Sequence, residues 1–182
     1  MPLTRISRLT ASERIAGANL QLGVTLAGVA GALNAGGFLA IGQYTSHMSG
    51  IVSGMADMLV LKHWALVLAA SLSLLAFLSG AMSAALLVSF ARRRHSANPY
   101  AAPLLLEGVL LLVFGLAGSQ LASREFVHVS LIAILLCYVM GLQNALVTKI
   151  SNAVVRTTHV TGLVTDIGIE LGKMLYWNRS GE

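Results

Sequence analysis

His47 and His159 lie in the same kind of phrase, Thr45-Ser46-His47-Met48-Ser49-Gly50 and Thr157-Thr158-His159-Val160-Thr161-Gly162. Each phrase follows an apolar segment that carries an amide. Asn34 lies thirteen residues before His47, and Asn144 lies fifteen before His159. These residue types suit reversible binding. Histidine exchanges a proton near neutrality. Hydroxyl residues cap helix starts, where free N–H groups and positive partial charge favour anions and polar solutes. A lone His at a helix start is ordinarily a hydrogen-bonded structural residue, so its recurrence in one local phrase carries the functional reading. Asn34, Asn144 and Gln143 can join helices through hydrogen bonds worth about 1 kcal/mol each.

The second phrase opens a stripe of His159, Gly162, Asp166, Glu170 and Lys173 at spacings of three or four, with Thr161 and Thr165 beside it. An acid at membrane depth costs about 2.5–3.5 kcal/mol, so it faces a cavity or a partner. Glu170 and Lys173, nearest the polar end, equally fit a solvated surface. After the first phrase, Ser49, Ser53 and Asp57 share a face beside His47, Gly50 and Gly54. The candidate site is therefore Asn34, His47 and Ser49 with Asn144, His159, Thr161, Gly162 and Asp166. His159 and Asp166 form its proton-responsive pair. The acids do not recur between the halves, and no ligand pair has close metal spacing, so no metal or other cofactor is expected. The chain lacks Gly-x-Ser-x-Gly, a phosphate-cradling glycine loop and His-Glu-x-x-His. It is not read as an enzyme.

The elements that position these residues follow from composition. The 182 residues are 56% hydrophobic and only 10% charged, with a mean hydropathy of +0.78. A soluble domain carries about a quarter charged residues, so the expected class is an all-α, polytopic helical membrane protein whose first partner is the lipid bilayer. The net charge of +5 records orientation rather than a nucleic-acid surface. Spanning about 30 Å of hydrocarbon takes roughly 20 helical residues. Four long spans are expected near Ala18–Gly42, Ala65–Ala91, Ala101–Ala122 and Val127–Val147. Two short motif helices are expected at Ser46–Leu61 and Thr158–Leu175. Residues 1–17 read as a basic cytoplasmic tail without a cleavable signal. Residues 18–91 read as a first repeat, 92–126 as a loop and linking span, and 127–182 as a second repeat lacking a last span. The lone Cys137 excludes an intrachain disulfide.

With a cytoplasmic N-terminus and short helices that do not cross, ten Lys and Arg lie inside and only Lys62 and Arg124 outside. If both short helices cross, the split becomes seven to five, and the positive-inside rule prefers the first arrangement. That arrangement puts the two phrases near opposite faces, as in the inverted repeats of secondary transporters. Trp64, Tyr100, Tyr176 and Trp177 fall at segment ends, where interfacial aromatics belong. Small residues recur every four positions at Gly23, Ala27, Gly31 and Ala35, and at Ala76, Gly80 and Ala84. They read first as packing within one chain, and a homodimer seam is the other use of such spacing.

The motifs Gly31-Ala32-Leu33-Asn34-Ala35, Tyr44 to Gly50, Met140 to Ala145 and Thr157 to Gly168 resemble the YoaK-like family of uncharacterised bacterial multi-pass inner-membrane proteins. The resemblance implies a bacterial inner-membrane location and no particular activity. Family members often have Asn where this chain has Ile51. The leading functional expectation is a small secondary transporter or permease-like protein that takes a small polar or anionic solute between the motif helices. The other is a non-transporting membrane scaffold or sensor subunit.

Overall fold

The computed structural model describes residues 16–41, 44–117, 126–151 and 160–176. Six helices and no strands occur among them: α1 Ala16–Ile41, α2 Met48–Val60, α3 Trp64–Arg93, α4 Ala101–Ala117, α5 Phe126–Ser151 and α6 Val160–Leu175. They fall on the apolar runs read from the sequence, with α4 described only as far as Ala117, short of the expected Ala122. Two contain stretches long and apolar enough to cross a membrane, Trp64–Arg93 and Leu131–Ile150. The sequence reading expects four such spans. In α1 and α4 the apolar stretches among the described residues are shorter, Val24–Leu39 and Ala101–Leu116. The order of a 26-residue helix followed by a shorter one occurs twice, as α1 with α2 and as α5 with α6.

Helix α3 is the hub. It packs most extensively on α5 and α6, and also on α2 and α4, while α1 leans on α5. Two glycine pairs set the closest approaches. A Cβ on Gly80 would lie 2.0 Å from the carbonyl oxygen of Tyr138, and one on Gly141 would lie 1.9 Å from that of Phe77. Only hydrogen fits there, so the α3 and α5 backbones touch at this crossing. Gly168 and Gly172 bring α6 close to α3 as well, though less so, with added Cβ atoms 2.6 to 2.8 Å from Ala81, Leu78, Ala85 and Met82 atoms. Apolar side chains fill the space on either side. Phe77, Leu136, Val139 and Met48 form one buried cluster; Ala81, Ala84, Ala85, Leu142 and Ala145 form the next. Gly31, at the first-half position matching Gly141, has open space where its Cβ would stand.

The turns after α2 and α3 are alike. Lys62 and His95 adopt left-handed backbones, with φ of 60° and 50°. The next residue in each case bonds back five positions, His63 N–H to Met58 and Ser96 N–H to Ala91. This is the Schellman ending, which ordinarily uses glycine at the left-handed position. At the basic end of α3, Arg92 donates to the Tyr100 hydroxyl at 2.7 Å. Its neighbour Arg93 stacks over the ring of Tyr176. The end of α3 is thereby tied to the approach to α4 and to the residue after α6.

Candidate functional site

The first phrase is folded as a tight turn between α1 and α2. Asn34 fixes it from α1: its amide nitrogen donates to the Ser46 hydroxyl, and its oxygen accepts the Ser46 N–H at 3.2 Å. Thr45 is buried, and its hydroxyl oxygen has no hydrogen-bond partner among the described residues. His47 is the residue before α2, is exposed, and makes no side-chain cap. Ser49 is half-buried in the first turn. The expectation of a hydroxyl cap from within the phrase is not met, because the residue at the cap position is His47.

The cap comes from the other half of the chain. The Thr161 hydroxyl accepts the Met48 N–H at 3.1 Å and donates to the Ser46 carbonyl at 3.3 Å. One side chain at the start of α6 thus satisfies two backbone groups at the start of α2, more than a hundred residues away. Met48 itself is fully buried beneath this contact. The structure therefore brings together Asn34, Ser46, Met48 and Thr161; the placing of the two phrases near opposite faces is corrected, because hydrogen bonds about 3 Å long join them. Gly162 lies beside Thr161, and Asp166 is half-buried one turn further along α6. Thr165, buried on the same helix, donates back to the Thr161 carbonyl at 2.8 Å. His159 lies outside the described residues.

Of the two amides in α5, the structure uses Gln143 for the helix-to-helix bond. Its Nε2 donates to the Leu26 carbonyl of α1 at 3.0 Å, and its Oε1 is buried without a partner. Asn144 instead donates to Met140 of its own helix at 2.7 Å. Glu170 and Lys173 form an exposed ion pair at 2.6 Å. The bond from Lys173, reinforced by its charge, holds the Glu170 carboxyl below the usual carboxylate range. These two residues have the solvated arrangement, apart from the crossing.

One acid escaped the reading of motifs. Glu107 on α4 is buried, 3% exposed, and its Oε2 has no hydrogen-bond partner among the described residues. The signal for it was present: a single acid in the run Leu104-Leu105-Leu106-Glu107-Gly108-Val109-Leu110, where burial is expensive. A groove of about 560 Å³ lies elsewhere, between α3 and α5, lined by Leu72, Leu75, Ser79, Leu131, Leu135 and Tyr138. It contains no residue of either phrase. No group of three or more His, Cys, Asp or Glu able to hold a metal occurs among the described residues.

Residues 22–182 match the family described as a protein of unknown function, DUF1275. The chain belongs to the DUF1275 family. The match is consistent with the resemblance to YoaK-like membrane proteins and spans both phrases, Glu107 and all six helices apart from the first turns of α1. No curated protein and no solved structure matches this DUF1275 chain.

Proposed function

We propose that this DUF1275 protein is a small secondary transporter or permease-like protein of the bacterial inner membrane, with its polar site where the two phrases meet. The observation that carries this reading is the Thr161 contact with Ser46 and Met48. It joins the starts of two short helices from opposite halves of an apolar bundle. Interrupted helices whose N-terminal ends meet inside the membrane are how transporters present positive dipole ends to polar or anionic solutes. The unpartnered hydroxyl of Thr45 in the same turn suits a solute or water as its missing partner. In this reading the chain crosses the membrane four times with a cytoplasmic N-terminus, α1–α2 and α5–α6 are inverted repeats, and the protein is not an enzyme. Asn34 holds the first phrase to α1, and Thr161 joins the two phrases. His47, Ser49, His159 and Asp166 are the groups a solute or proton would meet.

A second reading, a non-transporting scaffold or sensor subunit, is favoured by the directness of the same bonds. A hydroxyl that already fills both backbone groups acts as a structural clasp. Accessibility separates the two. In a Cys137→Ser background, Ser49→Cys and Thr161→Cys variants are treated with membrane-impermeant thiol reagents in right-side-out and inside-out vesicles. A transporter exposes these positions to water from one face or the other as it cycles. Protection of both cysteines from both faces would support the scaffold and sink the transporter.

A further inference from the structure

Glu107 is the buried acid that the proposed solute site does not use. It lies on the packed stripe of α4, in register with Pro103, Leu110, Leu111 and Phe114, which are buried or half-buried. Gly108, Val109, Leu112 and Val113, on the opposite side, are exposed. The helices against which α4 packs are α5 and α3. Their charged or titratable groups are His128, Cys137, Tyr138 and Lys149 on α5, and Arg92 and Arg93 on α3. Tyr138 donates its hydroxyl to Ser83, and Arg92 is engaged by Tyr100. None of the described groups pairs with Glu107, whose Oε2 is left without a partner. The neighbouring α5 buries a second orphan acceptor, the Oε1 of Gln143.

An ionised carboxylate among apolar side chains, with no cation and no donor among the described residues, is the most costly state of this group. Polar groups buried without partners are few in folded proteins, and each calls for an explanation. A proton removes both difficulties, since it cancels the charge and turns one oxygen into a donor. We propose that Glu107 is a proton-binding site of this protein, its carboxyl carrying a proton while α4 is packed against α3 and α5. Release of that proton leaves a charge that the packed interface does not accommodate, so proton loss is linked to loosening of α4 from its neighbours. Intramembrane carboxyls that take up and give up protons in this way form the relays of pumps and transporters. The inference stands on Glu107 and its surroundings, independently of the solute proposed at the phrases.

The experiment is infrared spectroscopy of the full chain in lipid nanodiscs, titrated from mildly acidic to alkaline pH. The expected spectrum shows the carbonyl stretch of a protonated carboxyl in mild acid, at a pH where an ordinary carboxyl is already ionised. The band shifts in heavy water, fades on alkaline titration and is lost in Glu107→Gln. Glu107→Asp keeps a band at a displaced frequency. A wild-type spectrum without the band overturns the proposal. So does a band unchanged in Glu107→Gln, which would belong to another acid such as Asp166. Thermal unfolding in the same nanodiscs supplies the second readout. Glu107→Gln, a neutral mimic of the protonated acid, is expected to match the wild-type Tm in acid, where the carboxyl is protonated in the folded and unfolded chain alike, and to lose the wild type's decline as pH rises above the ordinary carboxylate range. A fall in Tm for Glu107→Gln at neutral pH, or a wild-type Tm that responds to sodium or potassium at fixed pH, replaces the proton with a fixed charge or a metal cation and refutes it.

Discussion

The Thr161 hydroxyl caps Met48: it accepts the N–H at the first position of α2 while donating its own O–H to the Ser46 carbonyl two residues earlier. A cap supplied by a distant helix links two local structures into one. Thr161→Val keeps the shape of the side chain and removes both bonds. Loss of a helix cap costs about 0.5–2 kcal/mol, and two backbone groups are left unsatisfied in a half-buried place. Thr161→Val is therefore expected to lower the Tm of the purified protein by several degrees, and Thr161→Ser to restore most of it. A Thr161→Val protein as stable as wild type would remove the clasp from the fold.

The glycines are expected to divide by position. Gly141→Leu and Gly80→Leu drive side chains into the facing backbone carbonyls, 1.9 and 2.0 Å from where the Cβ would stand. Neither helix can yield without parting α3 from α5, so both variants should fail to accumulate as folded protein. Gly31→Ala meets open space in the described fold and gains helix propensity, about 1 kcal/mol over glycine. Expression and size-exclusion profiles in detergent check the contrast. A Gly31→Ala protein as impaired as Gly141→Leu would show that a second copy or another helix occupies the α1 face.

Lys62 and His95 hold left-handed backbones in Schellman endings. A residue with a Cβ carries a penalty of roughly 1 kcal/mol in that region, which glycine lacks. Lys62→Gly and His95→Gly are each expected to raise the Tm slightly. Lys62→Pro should lower it sharply, because proline cannot take a positive φ and removes the N–H that bonds Leu59.

Glu170 gives a control. Its carboxyl is held low by the Lys173 bond, so any stabilisation from the pair is present above the ordinary carboxylate range and is lost as pH falls through the lowered value. Both side chains are exposed, at 52% for Lys173 and 64% for Glu170, and solvent screens such pairs. Glu170→Gln should lower the neutral-pH Tm only slightly and leave the Tm in acid unchanged, so that the acid decline shrinks by that small amount. A large neutral-pH effect would show that Glu170 has a buried partner.

Cys137 is 1% exposed. Maleimide reagents are expected to leave it unmodified in the folded protein and to label it fully in denaturant. Rapid labelling of the native protein would mean that the α5 core opens readily.

The sequence by itself determined the helices and the polar phrases. Apolar runs interrupted by Thr45 to Ser46, by Lys62 and by the Arg92 to Asn98 stretch mark where helices stop, because charge, turn residues and hydropathy are properties of each residue and its neighbours. The candidate residues Asn34 and Thr161 were legible for the same reason, as polar groups recurring in a greasy chain. Tertiary structure decided their partners. Nothing local says that Thr161 caps Met48, that Gln143 reaches Leu26 while Asn144 turns back on Met140, or that Gly141 is pressed against Phe77 while Gly31 faces open space. In a soluble helix the polar face points outward and the apolar stripe reports the core. Here the outer faces are apolar as well, so Leu105 and Leu110 look alike in sequence although one is exposed and the other packs inward. Periodicity loses its contrast, and only the packed bundle shows which face of each helix meets another and which lies open.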